Sequence, residues 1–408
     1  TVEVHRGVSR RFWLTIRAPE GTPPGLYRGR IYIRPERARP ASVPVEYRVY
    51  AGALDPVDIP VGPWGHEIRL PWPGDDPAER QWREAMARRS MEKLREYGFT
   101  SFSGLPRITY RGFQDGKPQF DFSDGDRQMQ MARECGFSMP VVNYTLTGGL
   151  NLYNKDEAAM KAAGMNDYPQ FLRAVFSAIQ EHAQANRWLP VSWNLGDEPF
   201  GYDLQRAAES AEAYRAAFPK GPPLFTAATS FDSAKADDPH FRFAKAVHVA
   251  DLNSHNEAAE RMLQESGGAW AFYNGGNRWT YGTYLAKAAR QFDMKFRLSW
   301  HWNVVAGDPY YALDCREDDY AWCNTNAEGM LIPSLHFERE MREGLDDYRY
   351  LITVARLAKD KRDPAAAELV RSRLAAFDLG QRDHDALFPR SDWHAFRQKL
   401  AEAIERLQ

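Results

Sequence analysis

The chain is poor in cysteine, in unbroken apolar runs and in net charge, and each shortage removes a class of protein. Three cysteines in 408 residues, Cys135, Cys315 and Cys323, supply neither a disulfide framework nor a zinc-ligand spacing. Cys315 and Cys323 are near enough in sequence to pair within one loop, although cysteine counting favours free thiols, so the redox compartment is not readable from sulfur. No apolar run approaches a membrane span, which excludes membrane insertion by a helix, and no Lys/Arg–apolar–small leader opens the chain at Thr1. Lys and Arg number 53 against 55 Asp and Glu, a formal charge of -2 that offers no field to nucleic acid or an anionic membrane. Neither G-x-G-x-x-G after a strand nor H-E-x-x-H occurs, so no cofactor and no metal is expected.

Aromatic residues, by contrast, are plentiful: 12 Trp, 19 Tyr and 22 Phe. Sugar rings present apolar C–H faces that stack on such side chains, while Trp and Tyr add polar tips. Most aromatics are simply core, so the load is only a hint. The balance of 43% hydrophobic and 26% charged residues is that of an ordinary globular protein, and the length suits a large barrel with appendages.

Residues 1–52 read as strands, with period-2 alternation in "RRFWLTIRAP", "GLYRGRIYIRP" and "SVPVEYRVY" separated by proline-rich turns. Three or four strands are too few to close a sandwich, so this segment is expected to be the C-terminal part of a β-sandwich whose earlier strands precede Thr1. From "VDIPVGPWG" onward strands alternate with helices. Strands are expected at 57–64, 100–104, 138–144, 189–197, 223–229, 246–253, 269–274 and 296–303. Between them, stretches such as "YPQFLRAVFSAIQEHAQAN" repeat apolar residues at helical spacing. The expected fold class is therefore α/β: a (β/α)8 TIM barrel over 56–358, preceded by the partial β-sandwich over 1–55 and followed by a helical tail over 359–408. A doubly wound sheet is the alternative. The segment 304–330 reads as a long loop, and "HFEREMREGLDDYRYLITVARLA" as the closing helix.

"WNLGDEPFG" (193–201) places Asp197 beside Glu198, and two adjacent carboxylates repel. The bland reading is a charged turn in which one acid caps the next helix. The sharper reading uses position: the pair ends the fourth strand, and barrel active sites lie at strand C-termini. Gly196 and Pro199 permit irregular backbone that turns both carboxylates toward one ligand, with Pro199 holding Glu198 out of the helical region. Hydrolysis of a glycosidic bond needs a proton donor and something to stabilise the anomeric carbon, and a carboxyl raised in pKa by its neighbour can donate near neutrality. A second carboxylate on a distant strand is expected of an ordinary retaining enzyme. Neither "AWAFYNGG" nor "FRLSWHWN" supplies one, and Asp251 and the acids at 314–319 are less clearly at a strand end. A substrate bringing its own nucleophile, a 2-acetamido group, explains the absence.

The β-sandwich lead, "GDEP" after the fourth strand and "REMREGLDDYRYL" (339–351) together resemble glycoside hydrolase family 123 and its relatives with a C-terminal domain of unknown function. The resemblance spans nearly the whole chain. It implies that Asp197 holds and polarises the acetamido group, that Glu198 is the general acid/base, and that the activity is that of a retaining exo-β-N-acetylgalactosaminidase. It further implies a bacterial enzyme acting outside the cytoplasm, extracellular or periplasmic, on an oligosaccharide or glycoconjugate.

Supporting residues have two readings each. Tyr273 and Asn274 either bind the acetamido carbonyl or pack between barrel and helices. Trp300 and Trp302 share a face of the eighth strand, with Trp302 the better sugar platform; His301 and Asn303 take the other face. Asn194 binds a hydroxyl or satisfies the barrel interior. Asn253, His255, Trp64 and His66 are contacts of the same grade or plain loop residues. The acids of "EREMREGLDDYRYL" are expected to pair with barrel arginines. Two rivals stand beside the N-acetylhexosaminidase reading: a glycosidase on a non-acetamido sugar using a loop carboxylate, and a non-catalytic carbohydrate-binding barrel. The sequence leaves the oligomeric state open.

Overall fold

A computed structural model describes residues 14–64, 71, 74–143, 150, 156–229, 237–252, 257–272, 281–291, 294, 297–300, 323–325, 331–333, 341–379 and 390–408. Its strands are β1 Gly25–Ile33, β2 Ala41–Val49, β3 Val61–Trp64, β4 Thr109–Gln114, β5 Lys117–Asp121, β6 Val141–Asn143 and β7 Val191–Asp197. They continue with β8 Leu224–Thr229, β9 Val249–Leu252, β10 Ala269–Phe272, β11 Arg297–Trp300, β12 Cys323–Thr325 and β13 Leu331–Pro333. The helices are α1 Pro77–Glu96, α2 Ser123–Glu134, α3 Glu157–Ala162, α4 Tyr168–Ala185, α5 Gly201–Ala217 and α6 Pro239–Ala246. After them come α7 Glu257–Glu265, α8 Tyr281–Gln291, α9 Glu343–Lys361, α10 Pro364–Ala375 and α11 Arg390–Leu407. Local chemistry sets several starts. Asp76, Asp167 and Asp238 accept first-turn backbone N–H bonds ahead of α1, α4 and α6, and each helix carries a proline in that turn.

Two compact units are present. One takes the described residues up to Asp55 with Tyr350–Arg371 and Arg390–Gln408; the other takes Pro56–Arg349 with Ser372–Pro389. In the first, β1 and β2 pair antiparallel from Gly25↔Val49 to Ile33↔Ala41, and β1 is exposed throughout. The strand expected at "RRFWLTIRAP" is absent from residues 14–19: Pro19, Pro23 and Pro24 cannot donate to a ladder, and Thr22 turns back onto the Pro19 carbonyl. The end of this segment is held by Arg356, which grips both Asp55 oxygens at 2.7 and 3.0 Å, and by Glu405, which accepts from the Ala51 amide at 3.1 Å.

In the second unit a parallel five-stranded sheet has the order β10-β9-β8-β7-β6, and β11 pairs in parallel with β3. The segment 100–104 forms no named strand, but it joins these two sheets. The Val61 carbonyl accepts from the Thr100 and Ser101 amides at 2.9 and 3.0 Å, and Val142 bonds to Phe102 O and Gly104 N at 3.1 and 2.8 Å. Hydrogen bonds thus run from β11 through β3, 100–104 and β6 to β10. Among the described residues no ladder joins β10 to β11. Where the described residues reach, several expected strands begin late: the ladder of 57–64 starts only at Val61, that of 138–144 at Val141 and that of 189–197 at Val191.

Two hairpins were not anticipated. β4 and β5 are joined by Asp115-Gly116, both at positive φ (52° and 73°), as a two-residue turn matched to strand twist requires. β12 and β13 pair antiparallel, placing a strand inside the expected loop 304–330.

Register assigns faces to the five-stranded sheet. Trp193 and Phe225 are partners, and both rings meet the helix layer: Trp193 and Phe225 lie edge-on to Phe176 of α4 at 5.4 and 5.1 Å, and Phe225 to Tyr214 of α5 at 4.7 Å. All four rings are buried. Much of the aromatic surplus is therefore core. The opposite face carries Ser192, Asn194, Thr226 and Asp251, an unusually polar set for a buried surface.

The motif helix α9 is structural at its start. A Cβ on Gly344 would lie 2.8 Å from Tyr281 Cβ, and one on Gly282 2.4 Å from the Gly344 carbonyl, so α8 and α9 cross backbone to backbone. Asp346 pairs with Arg342 and Arg349 of its own segment at 3.4 and 3.1 Å. Buried Tyr348 ties α9 to the segment ahead of β3: its hydroxyl donates to Asp58 at 2.6 Å beside Arg290. Burial first, and then that bond, push the Tyr348 phenol well above its usual range.

Candidate active site

β7 is buried from Ser192 to Gly196, then opens at its C-terminal end. Asn194 pairs with Thr226, but the next pairing with β8 is Asp197 with Ala228, so two β7 residues oppose one on β8. This is a β-bulge. In a regular strand Asn194 and Asp197, three residues apart, point to opposite faces. The bulge returns Asp197 to the face of Asn194, Thr226 and Ala228.

Glu198 follows at φ 43°, in the left-handed region. A residue before proline is usually extended, and the left-handed conformation costs a non-glycine residue roughly 1–2 kcal/mol. Pro199 does keep Glu198 out of the right-handed helical region, as expected, yet the outcome is left-handed rather than extended. Such strain gathers at functional sites. Asp197 is half-buried and Glu198 exposed. Both sit just before the N-terminus of the 17-residue helix α5, whose unpaired N–H groups favour negative charge.

The same register reaches a further acid. Ala228 is the partner of Asp251 on β9, so Asp197, Ala228 and Asp251 stand level across three strands on one face. Strand spacing of about 4.8 Å puts the two aspartate Cα atoms roughly 9–10 Å apart. Asp251 is fully buried. One layer down, Asn194 and Thr226 are also fully buried, and Asn194 Nδ2 and Thr226 Oγ1 have no hydrogen-bond partner among the described residues. Strand-end position ranks Asp251 below the carboxylate pair, because its level is set by stagger between strands, which one sequence does not display.

Among the other expected residues, Trp64 and Trp300 are register partners in the β3–β11 ladder; their side chains lie outside the described set. Asn253, His255, Tyr273, Asn274 and Trp302 lie outside the described residues, as do His66, His301, Asn303, the acids 314–319 and Cys315. Among the described residues no cluster of His, Cys, Asp or Glu is suited to hold a metal ion, and no helix is long and apolar enough to cross a membrane.

Two residues of this neighbourhood were not anticipated. Phe200 is 80% exposed and Tyr202 74% exposed, immediately after the carboxylate pair. Phe200 occupies the N-cap of α5 without a side-chain cap bond, where Ser, Thr, Asp or Asn would be preferred. Arg206 lies over the Tyr202 ring at 5.6 Å. The available signal was two aromatics in a turn that needs polar residues.

No family model matches the sequence, and no curated protein sequence matches it. Solved structures with partial likeness include a GH10 endoxylanase from a sugarcane soil metagenome, at 9% identity and TM-score 0.38, covering 71% of this chain and 97% of that one. Fungal β-1,4-galactanases overlay at 11% identity and TM-score 0.37, covering 64% and 90%. An endo-β-N-acetylglucosaminidase from Cordyceps militaris overlays at 9% identity and TM-score 0.31, covering 71% and 91%. At these TM-scores none of the overlays carries an argument about this chain.

Proposed function

We propose that the protein is a glycoside hydrolase, an exo-acting β-N-acetylhexosaminidase, with β-N-acetylgalactosaminides as the substrates implied by its "GDEP" and "REMREGLDDYRYL" motifs. Its strands would close as a (β/α)8 barrel, with β10 beside β11 and the carboxylate pair at the mouth. The observation that carries the reading is the bulge and left-handed turn at Asp197-Glu198, which sets aside strand alternation where two acids adjoin. Glu198 donates its proton to the glycosidic oxygen as the bond to the anomeric carbon breaks. The substrate's acetamido oxygen attacks that carbon and forms an oxazolinium ion. Asp197 accepts the acetamido N–H and stabilises the charge developing there. Water, giving its proton to Glu198, then opens the ion at the anomeric carbon and the sugar leaves with its configuration retained. The substrate would be an oligosaccharide or glycoconjugate met outside the cytoplasm.

A panel of nitrophenyl glycosides tests this. Hydrolysis of N-acetyl-β-hexosaminides well above their C2-hydroxyl counterparts is expected, and no hydrolysis of any would leave a carbohydrate-binding barrel. Glu198→Gln should lose about 10²–10⁴-fold in rate, and less with dinitrophenolate, which departs without a proton.

Asp251 favours a second reading, a two-carboxylate glycosidase on a plain hexoside. Asp251 stands level with Asp197 on one face, two strands away, and an inverting glycosidase holds two carboxyls apart with a water between them. Inverted product configuration by proton NMR, with efficient turnover of C2-hydroxyl substrates, would select it.

A further inference from the structure

Phe200 and Tyr202 are large and exposed, and Phe200 stands at an N-cap, where local preference disfavours it. Phe200 has no polar atom for the orphan N–H groups of α5, so helix capping does not explain it. Packing does not explain it either, at 80% exposure. Phe200 is two residues beyond Glu198, its Cα within about 7 Å by chain geometry. A general acid must face the oxygen that departs, so the departing sugar lies on the Glu198 side of the scissile bond. The surface next to that acid carries Phe200 and then Tyr202, whose ring is shared with the Arg206 guanidinium. Two exposed rings close in the chain, one of them with a hydroxyl and a guanidinium over it, offer the groups a pyranose needs, since a sugar presents C–H groups on its faces and hydroxyls at its edge.

We infer that Phe200 and Tyr202 form the platform for the leaving-group sugar. The inference rests on the glycosidase reading with Glu198 as acid. The platform binds the first saccharide beyond the cleaved bond, making the protein selective for glycans over small aglycones.

The experiment compares two substrates with the same N-acetylhexosaminyl group: the glycosyl fluoride, whose leaving group cannot stack, and a β-linked disaccharide. Wild type, Phe200→Ala, Phe200→Trp and Phe200→Ala/Tyr202→Ala are assayed. The ratio of kcat/KM on disaccharide to that on fluoride should fall about tenfold with Phe200→Ala, further in the double variant, and recover with Phe200→Trp. An unchanged ratio overturns the platform, and so does a shift in oligomeric state by sedimentation without a change in ratio, which would mark a contact between copies. If wild type cleaves neither substrate, the glycosidase reading fails separately, and calorimetry decides the platform. Disaccharide binding that weakens at least tenfold in the double variant upholds it, whereas equal binding or none overturns it.

Discussion

His248 has both ring nitrogens committed to backbone: Nδ1 accepts from the Phe225 amide at 3.1 Å, and Nε2–H donates to the Phe218 carbonyl at 2.6 Å. That pattern requires the neutral ring. Burial first, and nearby Arg215 to a lesser degree, hold its pKa below the ordinary value, with the Phe218 bond opposing them. The folded pKa is depressed for a base, so between it and roughly 6.5 the unfolded chain binds the extra proton. Stability should therefore decline as pH falls below about 6.5 and level off once pH passes the folded value. Urea midpoints measured from pH 7.5 down to 5 should show the slope, and His248→Asn should flatten it. Glu198 illustrates the opposite use of a residue, strained in the left-handed region beside a catalytic candidate.

At the scale of elements, α9 shows how a short motif serves packing. Its Gly344 lies in the α8–α9 crossing, against Tyr281 Cβ and Cδ1, the first of which is fixed to the backbone and cannot swing away. Gly344→Ala would gain about 1 kcal/mol of helix propensity, but overpacking typically costs about 1–3 kcal/mol. Crowding should win here, since a Cβ would stand only 2.8 Å from two Tyr281 atoms. The urea midpoint should fall, whereas a rise would show that the helices part without loss. The β7 bulge is a second device of this kind, since one extra residue redirects Asp197. Neither device has a signature in hydrophobic periodicity, which reports faces but not crossings or bulges.

Across the whole molecule, Thr100 links the ladder of β3 to the next strand segment. Its hydroxyl donates to the Ile59 carbonyl at 2.6 Å and accepts from the Val61 amide at 2.9 Å, while its own amide bonds to the Val61 carbonyl. Thr100→Val keeps the shape and strands two buried backbone groups, for a loss of about 2–4 kcal/mol. Hydrogen exchange should quicken most at the Val61 amide; a loss of protection spread evenly, or none, would show that the joint is not held there.

Alternation of strand and helix, the places of the parallel strands β3 and β6 to β11, the terminal helices and the strand-end position of Asp197-Glu198 were legible in the sequence, whereas the expected strand 100–104 is only a bridging segment. They follow from period and turn chemistry, which act over a few residues. The Asp115-Gly116 hairpin has its signal in the sequence too, an Asp-Gly pair suited to a two-residue turn. The sequence did not show that residues up to Asp55 share a compact unit with the last helices, since Arg356 and Asp55 are 301 positions apart. Nor did it show Asp251 level with Asp197, or Phe200 left in solvent beside Glu198. Those depend on stagger between strands, on one bulge and on what fails to cover a side chain. Each is a relation between segments distant in the chain, and only the tertiary structure decided it.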